Sequence, residues 1–176
     1  LLLDDLDLMS RPINYLSYEV LSNDRHSHDV EIYLEASPRW ALDQPSQQSV
    51  SESFETDGLL YLKTGSMEQN ILAKKGDNIR IDWGYFFLVA EKENTRTNIG
   101  NSATLRKDFV NGNENYQIEG KNENSKLSLI KELGKIKKAS GKVMIGYDDI
   151  YSIQYFGKNL SPYWNRNNNE TIFSQF

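Results

Sequence analysis

Hydrophobic and polar side chains alternate strictly over residues 29–36, near the start of the chain. The hydrophobic positions are Val30, Ile32, Leu34 and Ala36. A period of two places them on one face of an extended chain, so the pattern predicts a β-strand with one face in the core. Residues 13–21 are rich in β-branched and aromatic side chains and predict another strand. A short polar segment joins the two, which predicts an antiparallel hairpin that ends at Pro38.

A second hairpin is predicted from an Asp-Gly pair that lies between two strand-like runs. Asp57 and Gly58 separate residues 50–56 from residues 59–64, and Asp-Gly is a favoured pair in tight two-residue turns. A further strand is predicted near residues 69–73, with a polar turn after it.

The segment RIDWGYFFLVAE, residues 80–91, has a polar beginning and an apolar end. Apolar side chains at positions 79, 81 and 83 alternate with Arg80 and Asp82, which predicts a half-exposed strand. From Tyr85 onward both faces are apolar, as in a strand that is covered on both sides. Gly84, at the change, predicts a bulge or a close approach of backbone. Asp82 is then predicted to accept hydrogen bonds at the sheet edge, from the backbone or from donors such as Arg80, although a carboxylate beside an indole also fits an active site.

The rest of the chain is interrupted more often. Residues 94–124 are rich in asparagine and broken by glycines, which predicts short strands and long loops. Residues 127–136 fit a strand or a helix, whereas residues 142–156 predict strands. About ten short strands without a long helix predict an all-β fold, a large antiparallel β-sandwich. The polar stretch at residues 165–169, followed by an aromatic ending, predicts an irregular linker after the strands.

The amino-acid composition excludes several kinds of site and argues against some partners. The 176 residues suffice for one substantial core, and the absence of cysteine excludes disulfides, thiolate metal sites and cysteine nucleophiles. A net charge of −5 argues against nucleic acid as a partner. No apolar run approaches the ~18 residues of a membrane span. A group of lysines predicts a solvated hairpin loop: Lys131, Lys135, Lys137, Lys138 and Lys142.

Two histidines are weak candidates for metal ligands. His26 and His28 form an H-x-H pair with Asp24 and Asp29 nearby, and on a strand both imidazoles would share a face. The alternative is a polar turn, because these residues fall in the predicted link between the first two strands. We predict no metal.

Paired carboxylates could support glycosidase-type chemistry. The candidates are Asp82, the pair Asp148 and Asp149, and the cluster of Asp4, Asp5 and Asp7. Neighbours on a strand point to opposite faces, which argues against the pair serving one site. The chain has no phosphate-binding loop, no Gly-x-Gly-x-x-Gly and no Gly-x-Ser-x-Gly. We therefore predict no cofactor and no catalytic residue.

The three tryptophans are candidates for binding sugar rings. Trp40, Trp83 and Trp164 could stack on a glycan if their rings lie on an exposed face. Aromatic side chains equally fill the interior of a large sandwich. The pattern favours the interior.

Several segments, in order along nearly the whole chain, resemble one family. They include LDLMSRPINYL at residues 6–16, ASPRWA at 36–41, GSMEQNIL at 65–72, RIDWGY at 80–85, and the closing pairs and triplets near 133–134, 145–146, 153–155 and 162–164. Together they are similar to the β domain of the glutaminase A-type proteins of fungi and Bacteroidetes. The signature residues that carry the resemblance, with an expected structural role, are Arg11, Pro12, Trp40, Gln69, Asp82, Trp83, Gly84, Tyr85, Gly146, Tyr155 and Trp164.

The resemblance implies a position in a larger protein. In this family the β domain is a supersandwich, similar to the N-terminal domains of several glycoside hydrolases. It precedes an α/α-toroid domain, which is expected to carry the catalytic residues and to be the partner of this domain. The proteins are usually exported, and named members hydrolyse glutamine to glutamate and ammonia. The resemblance implies a β domain of residues 1–164, followed by a linker of residues 165–176 toward the toroid. It also makes the segment at 127–136 a strand, whereas the stretch 111–126 departs from the family.

Three functional hypotheses follow. The first is a non-catalytic domain that packs against the toroid of an exported glutaminase. The second is a carbohydrate-binding accessory module that uses a tryptophan. The third is a free-standing hydrolase built on Asp82 and Asp148.

Overall fold

The computed structural model describes residues 3–77, 80–113 and 125–176. These residues form ten strands: β1 Ile13–Leu21, β2 His28–Ala36, β3 Ser49–Thr56, β4 Leu59–Ser66, β5 Tyr85–Glu91, β6 Thr95–Asn101, β7 Ser125–Ile136, β8 Lys138–Asp148, β9 Ile153–Tyr155 and β10 Lys158–Leu160. The helices are α1 Leu6–Ser10, α2 Ser102–Val110 and α3 Ile172–Gln175, with short 3-10 helices at Pro38–Ala41 and Tyr163–Asn165. No helix within the described ranges is long and apolar enough to cross a membrane.

All the strands pair antiparallel, in three sheets. A five-stranded sheet has the order β1-β8-β5-β4-β3, and a three-stranded sheet has the order β2-β7-β6. Strands β9 and β10 form a separate two-stranded hairpin. The predicted all-β sandwich is confirmed.

Two hydrophobic cores lie on opposite faces of the five-stranded sheet. Leu62, Phe86 and Leu88 face the three-stranded sheet and pack with its side chains, among them Leu127 and Leu129. The intervening residues face the other way, into a second core with the C-terminal segment: Tyr61, Phe87, Val89, Trp164 and Ile172. The prediction that β5 is covered on both faces is therefore confirmed, since Phe86 to Ala90 are all buried.

The prediction that β1 and β2 form a hairpin is wrong. Strand β1 pairs with β8 in the five-stranded sheet, and β2 pairs with β7 in the three-stranded sheet. The polar link between β1 and β2 passes from one sheet to the other, beside the turn between β7 and β8, where the Ser22 amide donates to the Lys137 carbonyl over 2.8 Å. The alternation of hydrophobic and polar residues predicts where strands lie, but it does not predict which strands pair with one another.

The predicted solvated lysine loop is also wrong. Four of its five lysines lie within strands β7 and β8, and Lys137 alone forms the link between them. Both strands continue through the lysine cluster, so only one residue is left for the connection between them.

The hairpin around Asp57 and Gly58 is confirmed as β3 and β4. Both turn residues have positive φ, 51° and 77°, as a type I′ turn requires. Strand β7 confirms the extended alternative for residues 127–136. The strand predicted at 69–73 is wrong, because the chain forms turns there.

Helix α2 was not predicted. Asn101 caps it by accepting a hydrogen bond from the Ala103 amide over 2.9 Å. Glu35 on β2 accepts hydrogen bonds from Ser102 and Arg106 of the helix. The pKa of Glu35 is lowered, because these donors and the Tyr33 hydroxyl outweigh the burial that would raise it. A strand side chain thus holds α2 in place, which local pattern does not reveal.

Within residues 165–176, expected to be a linker, residues 172–176 pack against the five-stranded sheet, whereas residues 166–171 are exposed. Ile172 is buried, and the rings of Phe173 and Phe176 contact the Tyr61 ring edge to face, with centroids 5.4 and 5.6 Å apart. The aromatic ending therefore covers the sheet's outer face, while the domain boundary at residue 164 stays a prediction.

Candidate functional site

The segment before β5 is an irregular strap rather than a strand. Residues 80–84 carry no strand pairing, and β5 begins at Tyr85. Arg80 and Ile81 are exposed, whereas Asp82 and Trp83 are both buried. The predicted half-exposed strand is wrong, because neighbours on a strand cannot both point to the same buried side. Residue 79, part of that prediction, lies outside the described residues.

Asp82 is a buried acceptor, not an acceptor at an exposed sheet edge. Only 1% of the residue is exposed. Its Oδ2 accepts a hydrogen bond from the Gln47 amide over 3.0 Å and lies 2.9 Å from the Lys74 ammonium. Its other oxygen, Oδ1, is buried without a hydrogen-bond partner among the described residues. The expected donor of the Arg80 type is replaced by Lys74 and Gln47, which come from loops distant in sequence.

Lys74 connects two carboxylates, because it pairs with Asp43 as well as with Asp82. Hydrogen bonds to Asp43 and then to Asp82 raise the pKa of the Lys74 ammonium. The bond to Lys74 lowers the pKa of the Asp43 carboxyl. One ammonium thus pairs with two carboxylates from different segments of the chain.

Gln69 clamps Gly84. Its Oε1 accepts from the Gly84 amide over 2.6 Å, and its Nε2 donates to the carbonyls of Gly84 and Ser66 over 3.2 and 2.7 Å. Gly84 has φ +82°, and a Cβ there would lie 2.1 Å from the Asp148 carbonyl oxygen. Only glycine fits this turn, so the predicted close approach of backbone at Gly84 is present.

Trp83 fastens the strap to the end of β8. The residue is 4% exposed, and its indole Nε1 donates to the carbonyls of Asp149 and Tyr151 over 2.7 and 3.1 Å. The Tyr147 hydroxyl donates to the Trp83 carbonyl over 2.6 Å. Burial raises the pKa of Tyr147, so its hydroxyl stays a donor.

Most of the remaining carboxylate candidates have structural partners. Asp5 caps α1 by accepting from the Leu8 amide over 2.9 Å, and Asp7 pairs with Arg166.

Asp148 Oδ1 accepts from the Ile150 amide over 3.0 Å, and Asp149 accepts from the Ser152 hydroxyl. Burial, with the neighbouring Asp149 charge, raises the pKa of Asp148. Ile150 has φ +59°, an uncommon conformation for a β-branched residue.

The two histidines are exposed: His26 lies in the polar link after β1, and His28 is the first residue of β2. His28 Nε2 lies 2.9 Å from Asp24 Oδ1, which also accepts from the His26 amide over 2.9 Å. These bonds and the Ser22 hydroxyl lower the pKa of Asp24 to about 2. Within the described part of the chain, no group of three or more His, Cys, Asp and Glu side chains is placed to hold a metal ion.

The three tryptophans have different surroundings. Trp83 and Trp164 are buried, whereas Trp40 is 62% exposed. The Trp40 ring meets the Phe86 ring edge to face at 5.1 Å. It lines an open, mainly apolar groove of about 220 Å³ together with Pro12, Asn14, Phe86, Ile145, Gly146 and Tyr147.

The other signature residues are also accounted for. The Arg11 guanidinium donates to the Gln175 carbonyl, which ties the start of the domain to its end. The Lys63 ammonium lies 4.0 Å from the centre of the Tyr85 ring. The absence of a side chain at Gly146 leaves room for Ile13 and Phe176, since a Cβ at this position would lie 2.7 Å from both side chains. Tyr155 differs, because it is exposed on the β9–β10 hairpin.

Sequence reasoning missed Gln47, Lys74 and the projecting β9–β10 hairpin. Lys74 and Gln47 carried no signal, because nothing local marks a loop side chain as the partner of a distant carboxylate. The hairpin carried a partial signal, which is Gly157 between two short extended runs.

Together these features define an antiparallel β-sandwich domain in which residues 82–84 are hydrogen-bonded to neighbouring loops. The chain belongs to the family described as domain of unknown function DUF5127, whose sequence model matches residues 1–176. It is similar to Glutaminase A of Aspergillus oryzae, with 24% identity over 164 residues that cover 88% of this chain and 24% of the relative. The chain thus spans about a quarter of the length of that curated relative.

Proposed function

We propose that this chain is a non-catalytic β-sandwich domain of an exported glutaminase-like protein, in which it packs against and supports a catalytic α/α-toroid domain. The similarity to Glutaminase A supports the proposal, because it covers most of this chain but only 24% of the relative. In a relative of that size, three quarters of the polypeptide is available for a separate catalytic domain. Hydrolysis of glutamine to glutamate and ammonia would then belong to the whole protein.

The observation that carries the proposal is the burial of Asp82 and Trp83. A catalytic carboxylate must reach its substrate, or reach it through one water. Asp82 is 1% exposed and occupied by Gln47 and Lys74. Gln69 and Trp83 are likewise committed to backbone partners. Residues that bear the family resemblance therefore serve the architecture of the domain.

The test compares residues 1–176 with the natural full-length polypeptide in an assay for ammonia released from glutamine. We expect turnover by the full-length protein and none by residues 1–176. The variant Asp82→Asn in the full-length protein should lower stability while the folded fraction keeps its kcat. Turnover by residues 1–176 alone would overturn the proposal and favour a free-standing hydrolase. Export is tested separately, by locating the native protein in cell fractions.

Trp40 favours a second candidate, a carbohydrate-binding accessory module. Its exposed ring beside an open groove is the geometry that stacks on sugars. In this case oligosaccharides should shift tryptophan fluorescence, and Trp40→Ala should abolish the shift while Val110→Ala, an exposed apolar control, keeps it. Fluorescence that no oligosaccharide changes would remove this candidate.

A further inference from the structure

The β9–β10 hairpin projects from the sandwich with its apolar side chains in solvent. All six strand residues are exposed, and neither strand pairs with the two larger sheets. A two-stranded hairpin alone is marginally stable in water. A hairpin of this kind needs another surface to cover it.

The hairpin has one apolar face and one polar face. Ile153 lies opposite Leu160, and Tyr155 lies opposite Lys158, so these four side chains share a face. On the other face Gln154 donates to Asn159 over 3.0 Å. The amide pair is satisfied within the hairpin, whereas Ile153, Tyr155 and Leu160 are each exposed.

The turn carries a residue that turn geometry does not favour. Phe156 and Gly157 are the two residues of the loop, with φ +45° and +75°. Asn-Gly is the preferred pair for two positive φ angles, whereas phenylalanine is strained there. Phe156 is nevertheless 88% exposed, with its ring 4.5 Å from the Tyr155 ring. The Tyr155 ring is the one aromatic partner of Phe156 among the described residues, and it leaves most of the Phe156 ring open to a further contact.

Hydrogen bonds hold the base of the hairpin against the rest of the domain. Trp83 donates to the carbonyls of Asp149 and Tyr151, and the Ser152 amide donates to the Leu160 carbonyl over 2.9 Å. The buried indole therefore sets the direction in which the hairpin leaves the domain. A fixed arm with an apolar tip is pre-organised for docking, which lowers the entropy lost on contact.

We propose that Phe156 and the apolar face of the β9–β10 hairpin dock into an apolar groove on the C-terminal domain of the same polypeptide. This inference rests on the proposed function. The relative has about three quarters of its length outside the matched region, which leaves room for such a domain. The hairpin carries one charge, Lys158, at the edge of its apolar face, so the groove is uncharged with an acceptor at its rim.

The size of the patch favours a partner in the same chain over a second copy. The four apolar side chains of the hairpin form a patch far smaller than the ~800 Å² per partner that a stable interface between separate proteins buries. A covalent connection raises the effective concentration of the partner, so a small patch suffices.

The first test places a photo-cross-linking benzoylphenylalanine at position 156 of the natural full-length polypeptide. We expect an intramolecular cross-link to a peptide beyond residue 176, mapped by mass spectrometry. The matched control places the same group at Val110, which is exposed on α2, and should give no such cross-link. A cross-link between two copies, or none, overturns the proposal.

The second test separates docking from turn stability. In Phe156→Asn the turn gains its preferred Asn-Gly pair, so residues 1–176 should keep or raise their Tm. In the full-length protein the hairpin amides should exchange about tenfold faster or more, because the cover is lost. Unchanged exchange in the full-length protein contradicts docking.

Glutamine hydrolysis is measured in parallel on the same preparations. A cross-link to the C-terminal domain without ammonia release keeps the docking surface and overturns the glutaminase activity. Ammonia release without a cross-link supports the glutaminase activity and overturns the docking surface.

Discussion

The indole Nε1 of Trp83 lies 2.7 Å from the carbonyl oxygen of Asp149, across 66 residues of sequence. This bond joins the strap before β5 to the turn after β8, and it sets the root of the projecting hairpin. Asp82 and Trp83 resemble an active site in the sequence, but in the structure the Trp83 side chain joins two loops by hydrogen bonds.

Replacing the indole tests that fastening. Trp83→Phe removes the donor and leaves two carbonyls, of Asp149 and Tyr151, without it. We expect a loss of about 1–3 kcal/mol in the free energy of unfolding, measured by urea denaturation. Trp40→Phe, at an exposed ring, should stay within about 0.5 kcal/mol of the parent. Equal effects of the two changes would contradict the role of Trp83.

The turn at Gly84 tolerates no side chain. Gly84→Ala combines φ +82° with a Cβ 2.1 Å from the Asp148 carbonyl oxygen, so the strap must move. Gly58→Ala is the matched control, since its φ is +77° and nothing lies within 4 Å of the added Cβ. The control should cost about 1–2 kcal/mol from backbone strain alone, and Gly84→Ala should cost clearly more. Similar urea midpoints for the two variants would show that the close approach is unimportant.

Lys74 compensates a buried charge. Lys74→Met keeps the aliphatic stem but leaves Asp82 without its cation, which is more damaging than the loss of an exposed pair. Lys92→Met is the control, because Lys92 pairs with Glu55 at the surface. The urea midpoint should fall further for Lys74→Met than for Lys92→Met.

The same pair predicts a response to alkali. The pKa of Lys74 is raised in the folded state by Asp43 and Asp82. Its stabilisation is therefore complete below the unfolded pKa of about 10.4 and is lost as pH rises through the folded value. Lys74→Met should remove this part of the alkaline transition, and an identical transition in the variant would refute the assignment.

Asp148 should destabilise the domain at neutral pH. Burial and Asp149 raise its pKa, with partial relief from the Ile150 amide and Lys63. A carboxyl whose folded pKa is raised favours folding at low pH, and stability falls as pH rises from about 3.9 through the folded value. Asp148→Asn can still accept from Ile150, so it should raise Tm at pH 7 and flatten the profile above pH 4 or so. Asp29→Asn, at an exposed position on β2, is the control; a Tm for Asp148→Asn no higher than that of the parent would contradict the penalty.

Local signals in the sequence predicted some elements closely. The Asp57-Gly58 turn and its two flanking runs became β3 and β4, because a two-residue turn and a period of two are properties of neighbouring residues. The apolar run after Tyr85 became a strand covered on both faces for the same reason. Helix α2 escaped prediction, since its position depends on Glu35, 67 residues before its first hydroxyl.

The sequence by itself determined the all-β class, the turn at Asp57-Gly58, the doubly buried β5 and the need for glycine at position 84. Each depends on spacing and backbone conformation, which neighbouring residues dictate. Tertiary structure alone decided that β1 and β2 lie in different sheets, that Asp82 is buried against Lys74, and that Trp83 anchors a hairpin. These outcomes depend on side chains that meet only after folding, since the free energy of burying a carboxylate or an indole is set by partners remote in sequence.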